Sequence, residues 1–158
     1  MPSSLNTIVR DGGVFIKTYG PKTPLWRYYI RCVLGLIGVK QPVEYYNKYK
    51  RLEFEYQTLR LWNSYGLNVP NIISKKDTAL HLSVIKGQTL SCIFAEAIDF
   101  GLIVKIFSDL NYRHTLVFKH NEPRLCHVDA NLGNIMYCNH KIFHIDFEIY
   151  PLEAALHF

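Results

Sequence analysis

Between His127 and Asp146 the chain sets out oxygen-bearing side chains in a spacing suited to holding a metal ion beside a phosphate. The run is His127-Val128-Asp129-Ala130-Asn131-Leu132-Gly133-Asn134, followed by Ile145-Asp146-Phe147-Glu148. Asp129 and Asn134 stand five apart on a loop leaving one predicted strand, and Asp146 ends another strand twelve residues later. If Asn134–Tyr137 and Lys141–Ile145 pair as a hairpin about Asn139-His140, its open end brings Asn134 and Asp146 together. Two hard oxygen ligands there can hold Mg²⁺, which keeps several waters and is commonly shared with substrate phosphates. Asp129, just upstream, can orient a substrate hydroxyl and accept its proton. An Asn- and Gly-rich turn satisfying only its own backbone is the plainer reading. It accounts for Asp129–Asn134 alone, but not for an apolar strand delivering Asp146 at that distance.

Two upstream residues belong to the same chemistry. Lys17 ends the apolar run Val14-Phe15-Ile16, and Glu55 lies beside the apolar stripe of a long predicted helix. An unpaired buried charge is costly, so a carboxylate leaning inward needs a partner. Lys17 is the candidate, and such a pair fixes an ammonium for nucleotide phosphates. The alternative leaves Glu55 in solvent beside Arg51, with Lys17 snorkelling outward.

The elements that must position these groups follow from pattern. Asn6–Arg10 and Val14–Tyr19 read as strands joined at Asp11-Gly12-Gly13. Residues 25–39 read as helical or interfacial, with Trp26, Tyr29, Ile30, Val33 and Ile37 recurring at threes and fours. A helix is predicted over 43–65, with the stripe Tyr45, Tyr49, Leu52, Tyr56, Leu59 and Trp62 and with Gly66 as its terminating residue. Asn71–Ser74 and Ala79–Ile85 read as strands, 89–118 as helix-rich, and Leu125–Val128, Asn134–Tyr137 and Lys141–Ile145 as a closing β segment. There is no internal repeat. The order predicts an α+β fold.

Composition narrows the class. The 158 residues are 49% hydrophobic and 14% aromatic, enough for a packed core. Of the net charge of +5, residues 1–60 hold ten Lys/Arg against four Asp/Glu, and the remainder eight against nine. A basic first third suits an anionic partner such as nucleotide phosphates, acidic lipid or a phosphorylated sugar; a merely solvated basic face is the alternative. No specific nucleic acid is predicted. The four cysteines form no CxxC pair, which fits a reducing cytoplasm. The first residues carry no apolar signal-peptide core, and the apolar stretch 32–39 is far short of the ~20 residues that span a bilayer. The expected location is cytoplasmic or peripheral at the inner membrane face. Segment 26–39, with Arg27, Arg31 and Lys40 beside an apolar face, is either a membrane-docking element or a core helix. His140 and His144 fall too far apart along one strand face for an easy shared metal. His144 is expected to pack beneath the site, and His127 to orient the loop that carries Asp129.

With VFIKTY around Lys17, RLEFEYQTLRLWNSYGLNVP around Glu55, LHLSVIKGQTL, HVDANLGNIM and FHIDFE in this order, the chain resembles the protein-kinase-like phosphotransferases. The pattern is most similar to the atypical bacterial kinases of lipopolysaccharide-core sugars. The resemblance implies a minimal two-lobed fold, with residues 1–86 as an N-terminal lobe and 87–158 as a reduced C-terminal lobe. It implies ATP and Mg²⁺ as cofactors, and transfer of the γ-phosphoryl group to a hydroxyl of a sugar or lipid-linked saccharide. An inactive kinase-like binding module and an atypical Ser/Thr protein kinase are the alternatives. By the resemblance, Lys17 and Glu55 serve the ATP phosphates, and the hinge backbone at Ser83, Val84 and Ile85 meets adenine. Asp129 is the catalytic Asp, with His127 orienting its loop, and Asn134 and Asp146 hold the metal. The chain departs from the pattern in four places. No glycine-rich loop precedes Lys17, and the strand expected first is missing. Asn131 stands where relatives carry Lys or His, and Glu148 replaces a Gly.

Overall fold

The computed structural model describes residues 6–20 and 48–147. The predicted helix over 25–39, the first turn of the helix expected from 43, and Glu148 lie outside the described residues. Four strands form an antiparallel sheet in the order β1-β2-β4-β3: β1 Asn6–Asp11, β2 Val14–Tyr19, β3 Ile72–Lys76 and β4 Ala79–Ser83. Asp11 pairs with Val14 across Gly12-Gly13, and Gly12 takes the left-handed φ of +58° that the tight connection demands. Lys17 pairs with Leu80 on the neighbouring strand. The predicted strand boundaries shift, with β1 running on to Asp11 and β3 starting one residue later than expected, at Ile72. Lys75 and Lys76 belong to β3, which leaves Asp77-Thr78 as the turn, and β4 stops at Ser83 so that Val84 and Ile85 lie in the connection beyond it.

Helix α1, Lys48–Ser64, crosses this sheet. It ends as its sequence dictates: Gly66 at φ +70° lets its own N–H reach the Asn63 carbonyl while Leu67 N–H reaches that of Trp62. This is the paired bonding of a glycine-terminated helix. The inward face corrects the predicted stripe. Leu52, Glu55, Thr58, Leu59 and Trp62 are buried, whereas Tyr49 is exposed and Tyr56 half-buried. The helix is rotated from its purely apolar optimum because Glu55 must reach Lys17.

The second half holds β5 Gln88–Thr89, α2 Leu90–Glu96, α3 Phe100–His120, a 3₁₀ turn Pro123–Leu125, β6 Ile135–Cys138 and β7 Lys141–His144. Asp99 caps α3 by accepting from Leu102 N–H, and Asn121 ends it in the left-handed region. The predicted strand Leu125–Val128 does not form. Pro123 starts a 3₁₀ turn capped by the Glu122 carboxylate, and the chain leaves it directly as loop. The hairpin β6–β7 does form, with Ile135 opposite His144 and Asn139 and His140 both at positive φ in the turn. Its third strand, β5, falls at the start of the region expected to be helix-rich and pairs with Tyr137 and Met136.

Two apolar cores support these layers. One joins Tyr19, Leu52, Leu59, Trp62, Leu80 and Leu82 to Leu116, Leu125 and Phe147, so it runs through both halves. The other gathers Leu90, Leu102, Ile106, Ile135 and Ile142 under the hairpin. No helix among the described residues is long and apolar enough to cross a membrane.

Gly87 sits where β5 approaches β6, and a Cβ there would lie 2.3 Å from the Tyr137 carbonyl oxygen and 2.7 Å from Cys138 Cβ. Backbone must move to admit it. Gly87→Ala is expected to cost about 1–3 kcal/mol in urea unfolding; an unchanged midpoint would show that β5 does not approach β6 this closely.

Candidate functional site

The site is built around Lys17. It leaves β2 on the face towards α1, where it is 4% exposed, and its Nζ lies 2.7 Å from Glu55 Oε2 and 2.5 Å from Asp146 Oδ1. Glu55, 1% exposed, also accepts from the Tyr19 hydroxyl at the same oxygen. Tyr19 is two residues from Lys17 on one strand, hence on the same face of the sheet. The expected Lys17–Glu55 pair is present, which excludes the solvent-facing alternative for Glu55. Asp146 enters from the end of β7 with its side chain 43% exposed, so the cluster is dry on the Glu55 side and open on the Asp146 side. Its φ of +66° is unusual for a residue with a side chain and turns the chain sharply after the strand.

The loop 127–134 is held by its own asparagines. Asn134 Nδ2 donates to the Asp129 backbone carbonyl and to Asp129 Oδ2, both at 3.0 Å. Asn131 Nδ2 donates to Asp129 Oδ1 at 3.1 Å, while Asn131 Oδ1 accepts from Gly133 and Asn134 N–H. Asp129 thus has an amide donor on each carboxylate oxygen and is half-buried. Ile145 N–H donates to the Asn134 carbonyl at 3.0 Å, so the hairpin mouth brings the bases of Asn134 and Asp146 together as its pairing predicts. With Asn134 Nδ2 engaged by Asp129, its Oδ1 is the atom able to ligate. Asn134 and Asp146 therefore suit a cation that takes few protein oxygens and completes its shell with water and phosphate. Among the described residues no three His, Cys, Asp or Glu side chains gather as a fuller ligand set.

Beneath this lies an aromatic layer. Phe147 meets Trp62 at 4.6 Å and His127 at 4.5 Å between ring centroids, both edge-on, and His144 stands 5.3 Å from His127. Edge-on packing of this kind holds ring orientation as well as burying area. Trp62 Nε1 donates to the Arg124 carbonyl at 2.7 Å, fastening α1 to the segment that leads into the loop. His127 Nε2 lies 3.3 Å from the Asp146 carbonyl, which can only accept, so Nε2 carries the hydrogen. This bond ties the start of the loop to the backbone of Asp146.

A second buried network was not foreseen. Arg113, on α3, donates to His144 Nδ1 at 3.1 Å and pairs with Asp109 Oδ2 at 2.6 Å, and His144 Nε2 donates to the same Asp109 oxygen at 3.0 Å. The guanidinium also stacks over Trp62, 5.2 Å from the ring centroid. Asp109 and Arg113 are four apart on a helix, a spacing that reads as a surface pair unless Arg113 is noticed on the apolar face.

The hinge candidates lie apart from the charged cluster. Ser83 exchanges bonds with Asn71, its N–H donating to the Asn71 carbonyl and its Oγ accepting from Asn71 N–H. Val84 N–H points to the Gly13 carbonyl at 3.4 Å, and Ile85 follows half-buried.

No protein-family profile and no curated protein sequence matches the chain. Among solved structures the fold is similar to Rv3197 of Mycobacterium tuberculosis, determined in complex with erythromycin. The TM-score is 0.52 at 17% identity, over 96% of this chain and 45% of that one. The chain therefore spans less than half the length of that protein. At this identity the likeness concerns fold alone. Fold and site together define a small α+β protein of antiparallel sheets, with a buried lysine between two carboxylates at the foot of an asparagine-bound loop.

Burial, and next the neighbouring His144, push the His127 pKa down from 6.5 to about 3, against the pull of the Asp146 carbonyl. Burial also lowers His144, against the opposing effect of Asp109. The unfolded chain therefore binds more protons below 6.5, so stability is whole above that pH and is lost as pH falls towards 3. Urea unfolding between pH 7 and about 5, above the range where most carboxylates titrate, should lose on the order of 1–2 kcal/mol from His127, with a further loss in the same direction from His144. His144→Gln should flatten that slope. A flat wild-type profile would contradict the neutral buried pair.

Proposed function

We propose that this protein is an ATP- and Mg²⁺-dependent phosphotransferase of minimal two-lobed, kinase-like organisation. Residues 1–86 form one lobe and 87–158 the other, and the acceptor is a hydroxyl of a sugar or lipid-linked saccharide. The observation that carries this reading is the Lys17 ammonium, held by buried Glu55 and touching Asp146 at the mouth of the β6–β7 hairpin. A lysine fixed from behind by one carboxylate and facing another at an open edge is arranged for phosphate and metal together.

ATP and Mg²⁺, when bound, supply a γ-phosphoryl group with part of its charge neutralised. The residues do the rest by position. Lys17 holds phosphate oxygens, kept in place by Glu55 and Tyr19. Asn134 Oδ1 and Asp146 hold the metal. Asp129, its carboxylate steadied by Asn131 and Asn134, orients the acceptor hydroxyl and takes its proton. Ser83, Val84 and Ile85 line the adenine end with backbone groups. Lys17 and Asp146 are in direct contact, so a phosphate held by one and a metal held by the other would require the two side chains to separate.

That same contact favours a second reading, a kinase-like binding module without turnover. Lys17 already has both its carboxylates, and the amide of Asn131 stands where the resemblance expects a cation.

The test is phosphate transfer from labelled ATP with Mg²⁺ to saccharide acceptors. Wild type should transfer, and Asp129→Ala should lose roughly 10²–10⁴-fold. Asp146→Ala should lose Mg²⁺-dependent nucleotide binding as well. Equal activity in all three overturns the enzyme reading. Mg²⁺-dependent ATP binding with no transfer supports the binding module, and label appearing on protein identifies a Ser/Thr acceptor.

A further inference from the structure

Within the loop that carries Asp129, Asn131 is bonded to both ends of the chemistry at once. Its Nδ2 donates to Asp129 Oδ1 at 3.1 Å, and its Oδ1 accepts from Gly133 N–H at 2.8 Å and Asn134 N–H at 3.2 Å. The backbone repeats the connection. Asn131 N–H donates to the Asp129 carbonyl at 2.8 Å, and its own carbonyl accepts from Asn134 N–H at 3.0 Å. On the reading above, Asp129 receives the acceptor's proton and Asn134 holds the metal. One residue therefore ties the two together.

The side chain works near its capacity. An amide offers two oxygen lone pairs and two N–H donors, and here both lone pairs and one donor are taken. Gly133 passes close over it, since a Cβ there would lie 3.1 Å from Asn131 Oδ1. Ser91 N–H, donating to the Leu132 carbonyl at 3.0 Å, holds the outer end of the same loop. A lysine at this position has donors and no acceptor, so it cannot take the Gly133 and Asn134 N–H groups. An aspartate keeps the acceptor but sets a second negative charge against Asp129 in place of the donor.

We propose that Asn131 is a positioning residue whose one amide fixes Asp129 and Asn134 at a set spacing. This rests on the phosphotransferase reading. The uncharged side chain, where the resemblance expects Lys or His, is then a requirement of this loop and not a lost cation. Charge at the transferring group is met by Lys17 and the metal, while Asn131 supplies geometry. Displacing reacting groups by about 1 Å costs on the order of 10²-fold in rate, so the effect is large enough to measure.

Three variants separate the two halves of the amide, and Asn131 is exposed, so each should fold. Amide hydrogen exchange at Gly133 and Asn134 reads the loop, and phosphate transfer from labelled ATP reads Asp129. Asn131→Asp should keep exchange as slow as in wild type yet lower kcat about 10–100-fold with KM for ATP unchanged. Asn131→Ala and Asn131→Lys should exchange at least about tenfold faster and lose kcat to a similar extent, although the lysine restores a cation. Wild-type kcat in Asn131→Asp or Asn131→Lys would overturn the proposal, as would unchanged exchange in Asn131→Ala. Failure of the phosphotransferase reading itself would look different, because wild type would then transfer no phosphate, and the proposal would fall with it.

Discussion

A lysine ammonium almost wholly removed from water fixes much of what surrounds it. Stripping water from a charge costs several kcal/mol, and the cost is offset only when good partners sit at good geometry. Lys17 finds them in Glu55 and Asp146, one from the helix behind it and one from the far end of the chain. Each partner then constrains its own element. α1 turns Glu55 and Thr58 inward at the expense of Tyr49, β2 presents Lys17 and Tyr19 on one face, and Asp146 adopts a left-handed backbone. Removing one carboxylate would leave charge stranded, so the three segments are bound to one another more tightly than apolar packing alone would bind them.

Around that ion cluster the fold provides stiffness rather than further charge. Trp62, His127, His144 and Phe147 form a layer of edge-on rings, with Trp62 fastened to the Arg124 carbonyl and His127 to that of Asp146. Burial keeps both histidines neutral, which suits a layer that must not carry charge beside Lys17 and Arg113. Asp129 stands above it, half-buried and immobilised by two asparagine amides. The arrangement is dry below and open above, as a site needs when it must hold charge in place and still admit a polar ligand.

Much of this could be read from residue order because the informative positions break a pattern. Glu55 interrupts the neighbourhood of an apolar stripe, Lys17 ends an apolar strand, and Asn139-His140 divides two short strands, so each announces a pair or a turn. What escaped the sequence followed no local rule. Arg113 and Asp109 have the spacing of an ordinary surface pair, and only tertiary packing puts them inside against His144. Two residues of β5 are too few to show alternation, and their pairing with β6 rests on the closeness that Gly87 permits. Leu125–Val128 has a strand's composition, yet Pro123 and the Glu122 cap commit the preceding turn to 3₁₀ geometry and the strand finds no partner. The apolar stripe of α1 was placed by periodicity, which cannot foresee that a buried ion pair rotates the helix.

On the proposed reading, Lys17 is held for a ligand's phosphates and not only for its own carboxylates. Titrating ATP calorimetrically into wild type and Lys17→Met, with and without Mg²⁺, tests it most directly. Mg²⁺-dependent binding in wild type should weaken by at least about tenfold, ~1.4 kcal/mol, in Lys17→Met while the variant stays folded. Equal affinity in a folded Lys17→Met protein would contradict it, and would leave the buried lysine as a purely structural cation.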